Sequence, residues 1–438
     1  MDLLLNTVQP YDWGSTTLLP RLMGLPPAGA PQAELWMGAH PAAPSRVRRG
    51  EETVPLDRVI DLDPAGQLGA ATLRRFGPRL PFLLKLLAAD APLSVQVHPD
   101  LAQARSGFER ENELGIPLDA PHRTYRDAQH KPELIVALTP FRGLCGFREP
   151  EECAALLESL KVPGLRAYVQ TLRSVAETQA LTEVFRAFLA PPAGLTAAVT
   201  EALAAAGARG ARPGPAAPPA SSSGGPYETD LAAYAGIARA HPSDAGLLPA
   251  LMLRYVELAP GDGLFLGAGV PHAYLSGLGV EIMAGSDNVL RCGLTSKHVD
   301  PAELLRVVRF TSRPAGVLTP RDEDDEEVYP TPVDDFRLSR LRPRTGASPR
   351  DLTLDAPQIV LCTEGELSVT SAGRALRIGP GRSVYLPAGA EAALAGHGTA
   401  FRATTGSARQ VETGDEGTIR PPAPRAALDG RHLTEDTP

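Results

Sequence analysis

Leu80-Pro81-Phe82-Leu83-Leu84-Lys85-Leu86-Leu87 is an apolar run with one charge inside it, and Leu93-Ser94-Val95-Gln96-Val97-His98 alternates apolar and polar residues. A short uninterrupted run bounded by turn residues reads as a strand buried on both faces. An alternating one reads as a strand with one polar face. Leu134-Ile135-Val136-Ala137-Leu138 is a third such run. Gly, Pro and Asp turns cut the chain between them, and residues 1–145 read as strands throughout. Many short strands separated by turns predict a β-sandwich or barrel.

Outward from there the pattern changes. Residues 152–160, 165–172, 181–189 and 196–206 carry apolar residues at helical spacing, as does 227–240. Between them, 207–226 is Gly, Ala, Pro and Ser, which cannot bury a core and predicts a mobile loop. Strand patterning resumes from 247 to 299, with a short helix expected at 301–309. The acidic run 322–327 predicts a solvated linker. Residues 336–402 read as short strands with Gly-rich turns, and the polar end of the chain as a frayed tail. The expected class is mainly β with a helical insertion and a second small β unit.

Bulk properties exclude several functions. The chain has 438 residues, a net charge of −8 and a pI of about 5.7. No basic stripe suggests nucleic acid. No apolar run reaches the roughly 18 residues of a membrane span, and the N-terminus lacks the pattern of a signal peptide. Cys145, Cys153, Cys292 and Cys362 form no CxxC pair, as expected of idle thiols in a reducing compartment. A cytoplasmic location is the expectation.

Three pieces carry chemistry. Gln96 and His98 lie two apart in a strand and so point to one face. In His130-Lys131-Pro132-Glu133, Pro132 favours an extended Lys131, and Glu133 opens an apolar strand. Pro271-His272-Ala273-Tyr274 follows a turn and a strand. Two imidazoles, a carboxylate and an amide oxygen make a first shell for a zinc-like ion with an open position, although spacing alone does not bring them together. Trp13 and Trp36 read first as core aromatics.

The order of these segments is also recognisable. Tyr11-Asp12-Trp13-Gly14-Ser15, Glu34-Leu35-Trp36-Met37-Gly38-Ala39-His40-Pro41, Pro92-Leu93-Ser94-Val95-Gln96-Val97-His98-Pro99, His130-Lys131-Pro132-Glu133, Pro271-His272-Ala273-Tyr274 and Ser286-Asp287-Asn288-Val289-Leu290-Arg291-Cys292-Gly293 resemble the type I mannose-6-phosphate isomerases. Gln129, Asp100 and Gly285 depart from the usual pattern without removing a ligand. The resemblance implies a cupin-type (jelly-roll β-barrel) catalytic domain over 1–148 and 246–320. It implies a helical insertion over 149–245, a C-terminal cupin-like domain over 330–408 and a tail over 409–438. It implies one Zn²⁺ held by Gln96, His98, Glu133 and His272.

It further implies a phosphosugar substrate, with Arg291 in the active site and Lys85, Lys131, Glu281, His130 and Asp287 around it. Ser94, Tyr274, Lys297 and Trp13 are expected to line the substrate pocket. The base that takes the C2 proton stays open among Lys85, Lys131 and Glu281. No obligate protein partner is expected, and the chain is expected to be monomeric. Two rivals remain: an iron-dependent oxygen-activating cupin and a sugar-binding cupin without catalysis.

Overall fold

The computed structural model describes residues 1–210 and 227–406. Most of the predicted loop and the predicted tail lie outside the described residues. The helix Leu195–Gly210 extends into the first residues of the stretch expected to be loop.

Alternation along Phe82–Ala89 decides how the strands are layered. Every residue of this strand is buried, as a strand covered on both faces must be. Leu84, Leu86 and Ala88 join Leu134, Val136, Val280 and Ile282 in one core. That core also contains Tyr329, Phe336, Ile359, Leu361 and Phe401. Leu83, Lys85, Leu87 and Ala89 take the opposite face.

This strand belongs to an eleven-stranded sheet; a nine-stranded sheet holds most strands of the last third of the chain. The hub of the first sheet is His272–Ala284. Its second half pairs antiparallel with Phe82–Ala89 and Glu133–Ala137, and its first half with Phe141–Phe147. At its start, His272 opposes Gln96. The strand bends between the halves, at a bulge after Tyr274 and at Gly277, whose φ is 125°. A Cβ at Gly277 would lie 2.8 Å from the Pro140 carbonyl and 2.9 Å from Phe141 Cα, so a glycine is required there.

The helices Pro150–Ser159, Arg166–Ser174, Glu177–Leu189 and Glu228–Ala240 stand where the spacing predicts helices. Their apolar faces share a core with Val95, Val97, Leu144, Ala273 and Leu290. The largely β architecture with a block of helices is consistent with the expected cupin-type fold. Phe401 is fully buried in the core containing strands of both sheets. Phe401→Ala is expected to cost about 3–5 kcal/mol, read as a lower denaturant midpoint at unchanged slope. A loss below about 1 kcal/mol would show that this core does not join the sheets.

Several expectations need correction. Residues 1–145 are not all strand: Leu18–Leu22, Leu56–Leu62, Pro64–Phe76 and Leu101–Glu113 are helices. Local caps start two of them. Gly66 N donates to Asp63 Oδ1 (3.0 Å), and Asp100 with Gln103 forms a capping box. Leu247–Leu251 is a short helix, with strand only from Leu253. The acidic run is a β-hairpin rather than a linker, Arg321–Glu323 pairing with Glu326–Tyr329 around Asp324 and Asp325. Glu326 is buried and accepts from Ser339 Oγ and Arg402 Nη1, both at 2.6 Å. The later strands are not all short: Gln358–Ser371 has 14 residues and Ala392–Thr404 has 13.

All four cysteines are buried and unpaired. Burial pushes the Cys145 and Cys153 thiols up to about 12, which keeps them unreactive. Among the described residues no helix is long and apolar enough to cross a membrane.

Candidate metal centre and active site

The register of the first sheet brings three separate segments to one place. Val95–Val97 ends just before His98, Glu133 opens its strand, and His272 opens the hub strand. One ligand atom from each of His98, Glu133 and His272 lies within 4.8 Å of the other two, and all three residues are buried. Gln96 opposes His272 in register. Its Nε2 donates to Ser94 Oγ (3.1 Å), leaving the amide oxygen as its open acceptor.

The hydrogen bonds fix both imidazoles. His98 Nδ1 bonds the Asn288 carbonyl and His272 Nδ1 bonds the Val270 carbonyl, each at 3.0 Å. A carbonyl only accepts, so both Nδ1 atoms carry a proton, and in the neutral rings both Nε2 atoms present lone pairs. Those lone pairs face Glu133: His98 Nε2 stands 3.3 Å from Oε1 and His272 Nε2 stands 3.5 Å from Oε2. His98 Nε2 is buried and makes no hydrogen bond among the described residues. Two lone pairs and a carboxylate aimed at one another repel unless a cation sits between them. The donor set therefore fits a divalent metal. Burial, partly offset by Glu133, pushes His98 down to about 4, so its imidazole is neutral and free to ligate. Burial alone would raise Glu133, but Lys131 and then His98 hold it well below the usual carboxylate range.

Beside this cluster runs a buried charge network. Lys131 Nζ lies 2.8 Å from Glu133 Oε1. Lys85, the one charge in its strand, lies between Glu34 (3.4 Å) and Glu281 (3.2 Å). Its register partners are Trp36 and Glu281. Burial opposes the Lys85 ammonium, yet Glu34 and then Glu281 outweigh it and hold Lys85 above the ordinary lysine range. Burial raises Glu281, and Lys85 lowers it; with Glu133 and Glu34 also close, the net direction is up. Tyr274 OH is buried and has no hydrogen-bond partner among the described residues.

A second group is cationic. Arg291 opposes Gln96 in register, and burial, then Arg126, lower it. Burial, then Arg291 and Arg126, lower Lys297 in the same way. Asp287 pairs with His40 at 3.4 Å and is held low first by that contact. His130 Nε2 lies 2.9 Å from Asp335 Oδ2. Trp13 is half-buried, stacks on Tyr11 at 5.7 Å, and packs against the cluster that includes Tyr274.

The family described as phosphomannose isomerase type I, catalytic domain, matches residues 1–150. The mannose-6-phosphate isomerase of Escherichia coli (strain K12) is 38% identical over 409 residues, covering 92% of this chain and 99% of that protein. The human enzyme of that name is 32% identical, covering 82% and 86%. The chain belongs to the mannose-6-phosphate isomerase family. Among solved structures, a mutant phosphomannose isomerase from Salmonella typhimurium aligns at a TM-score of 0.83 and 36% identity, covering 93% of this chain and all of that one. A zinc-bound mannose 6-phosphate isomerase aligns at 0.82 and 37% identity, covering 93% and 99%.

The residues that family resemblance singles out fall into the groups above. Others went unassigned in the sequence. Glu34 and His40 lie inside a quoted motif, yet nothing local says that they meet Lys85 and Asp287. Asn288 is fully buried. Its side chain bonds the backbone of Arg126, Asp127 and Gln129, at 2.8 Å to the first and last. It thereby ties the loop before Lys131 to the His98 contact. Asp335 lies 205 residues from its partner, beyond any local pattern.

Proposed function

We propose that this protein is a zinc-dependent isomerase. It interconverts D-mannose 6-phosphate and D-fructose 6-phosphate by moving a proton between C1 and C2 through an enediol. The observation that carries the metal half of this reading is the pair of imidazole lone pairs aimed at one buried carboxylate. His98, Glu133, His272 and the Gln96 amide oxygen would hold one zinc ion. Bound there, zinc supplies Lewis-acid stabilisation of negative charge on the sugar oxygens.

The chain's own residues do the rest. Arg291 places beside Gln96 a guanidinium that no carboxylate among the described residues neutralises, where it meets charge developing on the same oxygens. Lys85 is held protonated by two carboxylates and does not act as base. Lys131 is committed to Glu133. Glu281 is a carboxylate whose pKa burial raises, the direction that suits a base working near neutrality, and we assign it the C2 proton. Tyr274 OH and Ser94 offer hydrogen bonds to the sugar, and Trp13 lines the pocket. Asp287 and His130 shuttle protons during ring opening. Lys297 supplies charge for the phosphate.

In this reading the barrel is built from 1–148 and 246–320, with the helices of 149–245 inserted and a second cupin-like unit at 330–408. The protein works as a cytoplasmic monomer and feeds mannose into GDP-mannose. The test is a coupled assay for fructose 6-phosphate, run with and without chelator. Turnover that chelator removes and Zn²⁺ restores is the expected outcome. A folded, zinc-loaded protein that leaves mannose 6-phosphate unchanged refutes the reading.

A further inference from the structure

The strand Arg337–Leu341 of the nine-stranded sheet is preceded by Asp334 and Asp335. Asp334 pairs with Arg75. Asp335 instead reaches His130, in the loop that leads into Glu133. Its side chain is 10% exposed, and its one hydrogen bond to a side chain among the described residues goes to His130 Nε2, at 2.9 Å. A buried carboxylate without hydrogen bonds is costly, so this contact ties the two groups firmly.

The consequences follow from donor chemistry. A carboxylate accepts and does not donate, so His130 Nε2 carries a proton, and in the neutral ring the lone pair lies on Nδ1. Nδ1 has no partner among the described residues. One residue further on, Lys131 touches Glu133 at 2.8 Å, and Glu133 faces both His98 and His272. The other side of the loop is clamped by Asn288, which accepts from Arg126 N and donates to the Gln129 carbonyl, both at 2.8 Å. Between that clamp and the strand at Glu133, the Asp335 contact is the side-chain anchor on His130.

We propose that Asp335 is a positioning residue by which the nine-stranded sheet serves the active site. It holds His130 in one orientation and tautomer, and steadies the segment bearing Lys131 and Glu133. The kinetic part of this inference rests on the isomerase reading; the structural part does not.

The experiment compares wild type, Asp335→Ala, Asp335→Asn, His130→Gln and the Asp335→Ala/His130→Gln double variant. Asp335→Ala is expected to lower kcat about 10–100-fold, the range seen when a group orienting an active-site ligand is removed. KM should stay within about 2-fold, since Asp335 acts through His130 and is assigned no contact with the sugar. In the His130→Gln background the same change should add less than about 2-fold, because the two groups act as one unit. Asp335→Asn keeps the size and an acceptor oxygen, so it should retain most of the activity, and it stands in should the alanine variant fail to fold.

Histidine ¹⁵N spectra of wild type, with the His130 signal assigned by its loss in His130→Gln, should show the Nε2–H tautomer. That preference should relax in Asp335→Ala. The spectra need no turnover. An inactive wild type with the expected tautomer shift would therefore sink the isomerase reading and leave the positioning role standing. An active wild type whose Asp335→Ala tautomer and kcat are unchanged would overturn the positioning role, as would full additivity in the double variant.

Discussion

Glu133→Gln is expected to strip the metal and to lower kcat by more than about 10³-fold, the scale of losing several kcal/mol of charge stabilisation. The variant keeps the volume of the side chain and removes its charge, so cavity formation does not confuse the result. Three groups depend on that charge. His98 Nε2 and His272 Nε2 point their lone pairs at its two oxygens, and Lys131 Nζ sits 2.8 Å from Oε1. With glutamine in place, the imidazoles remain but the anionic ligand is gone. The Lys131 ammonium, with 11% of its side chain exposed, is left without its carboxylate. Breaking a buried pair from one side costs about 3–5 kcal/mol, so the melting temperature should fall too. Metal analysis, turnover and thermal unfolding on one preparation check all three. Retained zinc with wild-type turnover would show that the zinc is bound elsewhere. Lost turnover with full zinc occupancy would make Glu133 a charge partner of Lys131 rather than a ligand.

The segments that meet at the candidate metal centre were legible in part: the 93–98 run alternates with period two, whereas Glu133 and His272 stand at the first position of strands that do not alternate. Gln96 and His98 follow from that alternation, and the order of the motifs supplied the rest. The four helices of the first 145 residues were hidden for local reasons. Pro64–Phe76 contains a kink at Gly69 (φ 75°). Leu101–Glu113 buries only Ala104, Gly107 and Glu111, so it shows no apolar stripe. In the acidic run, like charges suggested solvent. The hairpin instead turns Glu326 inward, where Arg402 neutralises it across 76 residues of chain. Lys85 was readable as one charge in a buried strand and therefore as a residue needing partners. Which partners it finds depends on register between strands 51 and 196 residues away, and only the folded sheet sets that.

Arg291→Ala should lower kcat about 10²–10³-fold, the loss found when one preorganised donor to a developing oxyanion is removed, while zinc content stays at wild-type level. The separation follows from geometry. Arg291 lies on Leu290–Gly293, with its Cα opposite Gln96, so it stands beside the candidate metal centre without belonging to the His98, Glu133 and His272 cluster. The charge recorded near it is another cation, Arg126, and no carboxylate among the described residues neutralises it. Burial and Arg126 both lower its pKa, yet a guanidinium is not deprotonated in proteins. It is thus a positive charge kept in place at a cost, and such a charge pays off when an anion arrives. Lys297, whose pKa is lowered by burial and then by Arg291 and Arg126, shares that field. If Arg291 serves the enediolate, kcat falls and KM moves little, because the interaction is made in the transition state. If it serves the phosphate instead, KM rises with kcat nearly intact, and the developing charge must be met by another group. Near-normal values of both would remove Arg291 from the active site altogether. Arg291→Lys separates charge from shape: a lysine restores the charge but not the planar fork of donors. Recovery of most of the lost rate by lysine would therefore mean that the field is what counts at this position, and failure to recover would mean that the fork does.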